Sequence, residues 1–322
     1  MKDRLKVSFR SVIRSSAGTK KNLFSSGGEI PANPPNGEAF ADSTQRLLEK
    51  IPDLDSWGQQ LKIPQKELKL ADRQTLLLYR TILDLIEEYP DLDLKTAPVH
   101  VAVGPARTNL TQMQNWESRI APSEPWPMIQ PASAIGLLPN TPLSWVSIKL
   151  GLRGEGAVWA GFHEAGYFAL CAGMEALQSG AGKVVVASVN SPENYFVKNT
   201  LQRAGLKARS SPIEMGVAIL LEVSNKTPQI LFQETFAPEA SFEKVTSFYS
   251  ERLKISPKEV ENSTICEGIF GRNQVSEIWG DPMTALFPFS LAMAEKLSGA
   301  DLFCFFQGDL FGQIQSGVVK SQ

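Results

Sequence analysis

Hydrophobic residues along the middle of the chain fall into strand-length runs and helix-length periodic segments. The runs Val99–Gly104, Lys183–Val189 and Gly216–Val223 are rich in small and branched apolar residues, which is typical of strands buried on both faces. Ala71–Glu88 carries leucines at helical spacing, and the helical pattern Glu164–Gln178 follows another short apolar run. Strand–helix–strand units of this kind build parallel or mixed sheets that are covered by helices.

The last third of the chain repeats this alternation on a smaller scale. Helices predicted at Phe242–Leu253 and Met283–Leu297 each precede a strand, and one more strand closes the chain; the predicted strands are Thr264–Ile269, Leu302–Phe306 and Gln313–Val319. A further helix is predicted at Ala41–Glu49. We therefore expect an α/β protein with two similar halves, residues 1–225 and 226–322, of which the second is reduced.

Composition and charge exclude several classes of partner. A net charge of −2 over 322 residues gives no electrostatic reason to expect nucleic-acid binding. No apolar run approaches the roughly 20 residues that span a bilayer, and no signal-peptide pattern is present, so we expect a cytoplasmic protein without a membrane span. Three widely spaced cysteines without a CxxC pair argue against disulfides and structural zinc. We expect no metal and no cofactor.

Several ordered motifs carry a resemblance to a known family. Pro139–Gly154 is similar to a "PN…GLxG" motif, Lys183–Ala187 to a "DVVLAGG" strand and Ile213–Glu222 to a "GEGAAVLVLE" strand. Together they resemble the β-ketoacyl synthases, most closely over residues 98–223. The resemblance implies the thiolase fold, with five layers in the order α-β-α-β-α. It also implies a dimer that pairs through the strand after the nucleophile helix, which would place Lys183–Val189 at the interface.

The departures from the family pattern concern its catalytic residues. The family's nucleophilic cysteine stands at a helix amino end, and the corresponding position here is His163. The turns that hold the family's two histidines align with Cys266–Gly271 and Gly280–Ala285, which place Glu267 and Asp281 there. No histidine follows His163 in the chain. Ordinary decarboxylative condensation is therefore not expected.

Two interpretations of His163 remain open. A helix dipole disfavours a cation at the amino end, so a neutral imidazole could accept a proton, with Glu267 or Asp281 orienting its other nitrogen. Alternatively His163 is a remnant in a pocket that has lost its activity, and Glu164 merely complements the helix dipole. The side chains expected to line this pocket are Trp159, Phe162, Glu164 and Phe306.

The resemblance thus supports three functional hypotheses. The first is a non-condensing subunit, similar to a chain-length factor, whose partners are an active ketosynthase and an acyl carrier protein. The second is an enzyme that uses His163 with a carboxylate for acyl transfer, hydrolysis or cyclisation of a carrier-bound chain. The third is a homodimeric scaffold that binds acyl thioesters without turnover.

Overall fold

The computed structural model describes thirteen stretches of the chain, which are residues 6–15, 18–19, 54–68, 71–90, 92–104, 138–191, 214–224, 226, 228–269, 272–273, 283–296, 302–308 and 313–320. The helix predicted at Ala41–Glu49 lies outside them. The strands within these stretches are Val7–Ser15 (β1), Gly18–Thr19 (β2), Val99–Val103 (β3), Gly156–Ala160 (β4), Lys183–Asn190 (β5), Met215–Val223 (β6), Gln229–Phe236 (β7), Thr264–Ile269 (β8), Arg272–Asn273 (β9), Leu302–Gly308 (β10) and Ile314–Lys320 (β11).

The described helices follow most of the predicted periodic segments. They are Leu54–Gln60 (α1), Gln65–Leu68 (α2), Arg73–Glu88 (α3), Thr141–Leu150 (α4), His163–Gln178 (α5), Phe242–Leu253 (α6), Pro257–Asn262 (α7) and Leu286–Lys296 (α8), and a 3₁₀ turn at Met283–Ala285 precedes α8. Asp72 caps α3 by accepting a hydrogen bond from the Thr75 amide. Gly151 ends α4 in the left-handed conformation at φ 66°, which glycine adopts without strain. None of the described helices combines the length and apolar character that a membrane crossing requires.

The order of strands repeats between the two parts of the sheet. The hydrogen-bonded path across the described strands is β4-β3-β5-β6-β1-β7-β11-β10-β8-β9, with β2 beside β1. If β2 is left out, each part presents from the middle outwards its first strand, then its last, its second-to-last, its second and its third. Pairing directions repeat as well, except that β3 and β4 are parallel whereas β8 and β9 are antiparallel. We propose that the boundary between the halves lies at residues 225 and 226.

Three hydrophobic clusters show that the molecule has five layers. Alternate residues of each strand face opposite sides, so Val184 and Val186 belong to the central cluster with α5 and α8. Val185 and Ala187 instead pack with α3 and α4 on the outer side of the part formed by β1–β6, which we call the first sheet, β7–β11 being the second. The third cluster joins α6 and α7 to the outer side of the second sheet. The expected α-β-α-β-α arrangement of a thiolase fold is therefore confirmed.

The predicted role of Lys183–Val189 as a subunit interface is wrong. This segment is β5, which is hydrogen-bonded to β3 on one side and to β6 on the other. A strand that is paired along both edges has no free backbone groups to offer a second subunit. Among the strands that the structure describes in the first sheet, β4 is the one at the end, and its outer edge is open.

Candidate functional site

The turn between β4 and α5 brings His163 to the amino end of a buried helix. The Gly161 amide donates to the Val103 carbonyl at 3.2 Å, which extends the pairing of β4 with β3 by one residue. Phe162 follows as the residue that caps α5, and His163 is the first residue of the helix. The His163 side chain is only 5% exposed. The position that resembles the family's nucleophile thus lies at a helix amino end, as the sequence predicted.

The carboxylate of Glu164 folds back onto the same helix end. Its Oε1 accepts a hydrogen bond from the Phe162 amide at 3.2 Å, so a negative charge lies at the positive end of the helix dipole. A Cβ atom on Gly161 would lie 2.9 Å from this oxygen, so the glycine leaves the space that the carboxylate occupies. Glu164 therefore complements the helix dipole, as its place in the first turn predicted.

A second contact to this turn comes from the 3₁₀ segment before α8. The Thr284 hydroxyl donates to the Gly161 carbonyl at 2.8 Å. The Thr284 carbonyl accepts a hydrogen bond from the Ser188 hydroxyl, also at 2.8 Å. The sequence explains why this carbonyl is available. Pro288 stands four residues after Thr284 and has no amide hydrogen to complete the helical bond. The predicted helix Met283–Leu297 accordingly begins at Leu286 instead.

A glutamine of the second sheet holds the first turn of α5. Gln307 lies on β10 and is 2% exposed. Its amide nitrogen donates to the His163 carbonyl at 3.0 Å and to Oε1 of Gln315 at 3.0 Å. Gln315 is its direct neighbour across β10 and β11. The second half of the molecule therefore contacts the His163 backbone through a buried polar pair.

The two predicted carboxylate partners are placed differently. The backbone of Glu267 lies on β8, directly beside Gln307 of β10. The Glu267 side chain and all of Asp281 are outside the described part of the structure. A His163–carboxylate pair therefore stays a prediction. Among the side chains that the structure describes, no group of three or more histidine, cysteine or acidic residues could hold a metal ion.

The aromatic residues expected in the pocket belong to different layers. Trp159 is half-buried, packs against the central cluster and lies with its ring 5.6 Å from that of His100. Phe162 is half-buried in the turn itself. Phe306 faces the outer side of the second sheet, where its ring stacks on Tyr249 at 5.8 Å. The prediction that Phe306 lines the His163 pocket is wrong, because alternation along β10 directs Phe305 and Gln307 inward and Phe306 outward.

The cysteine that lies on α5, Cys171, is not an activated thiol. Cys171 lies two turns after His163 and accepts a hydrogen bond from the Gln233 amide nitrogen at 3.2 Å. Burial raises the pKa of the Cys171 thiol to about 11, although the Tyr167 hydroxyl opposes this shift. The Tyr167 hydroxyl also bonds the hydroxyl of Thr235 at 2.9 Å. At neutral pH Cys171 is therefore a protonated thiol, which is a poor nucleophile.

Four residues of this site were missed by sequence reasoning, namely Ser188, Thr284, Gln307 and Gln315. A polar residue inside an apolar strand is a usable signal, because a buried polar group requires a partner. Ser188, Gln307 and Gln315 each meet that description. The position of Pro288 four residues after Thr284 is a second signal, since it leaves one carbonyl without a helical donor.

Comparison with known proteins identifies the class to which this fold belongs. The ishigamide ketosynthase/chain length factor superposes with a TM-score of 0.69 at 16% identity, over 98% of this chain and 99% of that chain. A type II polyketide synthase acyl-carrier protein in complex with its ketosynthase bound to the hexaketide gives 0.64 at 13% identity, over 99% and 100%. A β-ketoacyl synthase from Burkholderia phymatum STM815 gives 0.64 at 10% identity, over 98% and 99%.

The chain thus has the thiolase fold of the ketosynthases and chain-length factors. Neither a protein-family model nor a curated protein sequence matches it. At these identities the likeness defines the fold, and any function rests on the residues of the site. In this chain the helix α5 begins with His163 and Glu164.

Proposed function

We propose that this protein is a non-condensing ketosynthase-like subunit of fatty acid or polyketide biosynthesis, which pairs with an active ketosynthase as a chain-length factor does. The observation that carries the proposal is the start of α5. Condensation requires a thiolate at this helix end, and the residue there is a buried histidine followed by a carboxylate that already bonds the Phe162 amide.

Two of the three thiols of the chain, Cys171 and Cys304, support a subunit without its own condensing step. Burial raises the pKa of Cys171 to about 11 and that of Cys304 to about 12, so neither supplies a thiolate at neutral pH. Cys304 also faces the outer cluster of the second sheet, on the side away from α5. The chain contains no histidine after His163 to assist decarboxylation.

A pairing partner is supported by the outer edge of β4, which no strand in the described part of the chain pairs with. Edge strands present unpaired amide and carbonyl groups that pair with a strand of another chain. Helix α4 packs beside β4 through Leu143 and Gly156, and its Ile148 side chain is 82% exposed. The names of the solved structures include a ketosynthase/chain length factor and a ketosynthase with its acyl-carrier protein. We infer the same two partners for this chain, and a cytoplasmic location with them.

A second candidate function is an acyl-transfer, hydrolysis or cyclisation enzyme with a rewired site. The register that sets the Glu267 backbone beside Gln307, whose side chain contacts the His163 carbonyl, favours this alternative. In it, His163 accepts a proton and Glu267 or Asp281 orients the ring. The acyl-binding scaffold is the third candidate, and it differs from the first in forming a homodimer.

His163→Ala separates these candidates. The chain and the variant are each produced together with a cysteine-containing ketosynthase and an acyl carrier protein of the same organism. As a non-condensing subunit, the variant should copurify as a one-to-one complex with the ketosynthase and support wild-type product formation. A folded His163→Ala variant that forms the complex but yields no product would establish the rewired enzyme. A chain that pairs only with itself would indicate the scaffold.

His100→Ala is the matched control for this experiment. It removes the other imidazole of the chain, which lies on β3 and is 6% exposed, about as buried as His163. Similar losses of product in both variants would point to destabilisation of the first half. A loss confined to His163→Ala would point to chemistry at the start of α5. Thermal denaturation of both variants distinguishes folding from function.

A further inference from the structure

The amino end of α5 has a feature that the cysteine-to-histidine change does not account for. Glu164 occupies the second helical position, and its carboxylate turns back to accept the Phe162 amide hydrogen. Its second oxygen, Oε2, is buried and accepts no hydrogen bond from any residue that the structure describes. A fixed negative charge thus lies beside the helix end where the acyl group of a thioester would have to react.

This charge opposes the formation of the attacking thiolate and also that of the oxyanion that follows in acyl transfer. A helix amino end stabilises a thiolate and an oxyanion because its dipole and free amides present partial positive charge. A carboxylate already placed there complements the dipole itself and repels a second anion. The repulsion is stronger than it would be in open water because position 163 is only 5% exposed and Glu164 itself is half-buried.

The neighbouring residues fix the turn on which the carboxylate lies. Gly161 leaves the space that Oε1 fills, since a Cβ atom there would come within 2.9 Å of it. The Gly161 carbonyl is fixed by the Thr284 hydroxyl at 2.8 Å, and the Gly161 amide by Val103. The turn is therefore anchored on both sides, and it presents the Phe162 amide that binds the Glu164 carboxylate.

We propose that Glu164 is an internal anion that closes the amino end of α5 to acyl transfer, so that restoring a cysteine at position 163 alone does not restore a reactive site. The role of Glu164 rests on the proposed function, because acyl thioesters are taken as the molecules that reach this helix end. It does not depend on which ketosynthase the chain binds. Glu164 would be a second determinant of inactivity, separate from the nucleophile.

Three variants test this assignment: His163→Cys, His163→Cys with Glu164→Gln, and His163→Cys with Glu175→Gln. Glutamine at 164 keeps an oxygen acceptor for the Phe162 amide and removes the charge. Glu175 lies on the same helix, eleven residues later and about 16 Å along its axis, so its change is the matched control. Thermal denaturation confirms that all three fold.

Each variant is incubated with hexanoyl-N-acetylcysteamine, and acylation is followed by intact-protein mass spectrometry. The introduced thiolate attacks the thioester carbonyl, a new carbon–sulfur bond forms, and N-acetylcysteamine leaves as its thiol after taking a proton. Iodoacetamide alkylation at neutral pH measures the thiolate population independently. We expect Glu164→Gln to accelerate both reactions about tenfold or more, which corresponds to one pKa unit of the introduced thiol. Glu175→Gln should leave both unchanged.

Equal rates in the presence and absence of Glu164→Gln would overturn the assignment. The absence of any reaction in all three variants would overturn it as well, because burial of position 163 would then be the barrier. Neither outcome affects the proposed pairing with a ketosynthase, which copurification measures separately. Conversely, if the chain binds no ketosynthase, the rates of acylation by the thioester still measure the effect of Glu164 directly.

Discussion

At the scale of single residues, His100 is the buried titratable group that the proposed site leaves unused. It lies on the inner face of β3 and is 6% exposed, and neither ring nitrogen has a hydrogen-bond partner among the described residues. Burial lowers the pKa of His100 below its usual value of 6.5, against the opposing pull of Glu155 and Glu175. Its interpretation as a structural residue in an apolar strand is consistent with these surroundings.

The lowered pKa predicts a pH dependence of stability. Well above pH 6.5 both the folded and the unfolded forms hold a neutral imidazole. As the pH falls below 6.5 the unfolded chain binds a proton that the folded protein resists, so the free energy of unfolding decreases until the folded pKa is passed. His100→Phe should flatten this dependence in urea titrations between about pH 7.5 and about pH 5. If the free energies of unfolding of the wild type and the variant differ by the same amount at every pH, the lowered pKa of His100 is contradicted.

At the scale of elements, α5 lies unusually close to the start of α8. A Cβ atom at Gly166 would lie 2.3 Å from the Thr284 carbonyl oxygen and 2.8 Å from Cδ of Pro288. The absence of a side chain is what permits the 3₁₀ turn to reach Gly161 and Ser188. A glycine inside a helix costs conformational entropy, and here the close approach compensates for it.

Gly166→Ala should therefore destabilise the protein, although alanine is the better helix former. We expect a loss of about 2 kcal/mol or more in the free energy of unfolding, because backbone must move to admit the methyl group. Gly182→Ala is the control, since a Cβ atom there meets nothing within 4 Å. Urea denaturation of both variants measures the difference. An equally stable Gly166→Ala variant would show that α5 and α8 can separate at low cost.

At the scale of the whole molecule, the two sheets are joined across the central layer by polar contacts as well as by apolar packing. Gln307 of β10 holds the His163 carbonyl, and Thr235 of β7 bonds Tyr167 of α5. Phe287 of α8 contacts both Tyr167 and Phe305, with ring centroids at 4.9 Å and 4.6 Å. The start of α5 is thus positioned by residues from both halves of the chain.

Gln307→Met tests the polar part of this junction. The change keeps the side-chain volume nearly constant but removes the donor to the His163 carbonyl and to Gln315. We expect a loss of about 1–3 kcal/mol in the free energy of unfolding, because buried acceptors lose their partner. Gln178→Met, at the exposed end of α5, is the control and should be neutral. A variant with Gln307→Met and Gln315→Met together should recover part of the loss.

Much of the fold could be predicted from local patterns in the sequence. Helix α6 and strand β8 match their predicted bounds, and β5 and β6 extend one residue further than predicted. Helix α7 was missed, although Ser256 and Glu259 form a capping box that the sequence displays. These features depend on neighbouring residues and on hydrophobic period, which are properties of the chain itself. The resemblance to ketosynthases then supplied the layered architecture.

What only the tertiary structure decided concerns residues that are distant in sequence. It determined that β4 lies at the sheet end and β5 inside it, that Phe306 faces outward, and that Gln307 reaches His163. Strand order and register follow from pairing between segments up to hundreds of residues apart, which local periodicity does not encode. The sequence, through its resemblance to the ketosynthases, predicted that His163 stands at the position of that family's nucleophile, followed by Glu164. The fold determined that the Glu164 carboxylate accepts its hydrogen bond from the Phe162 amide.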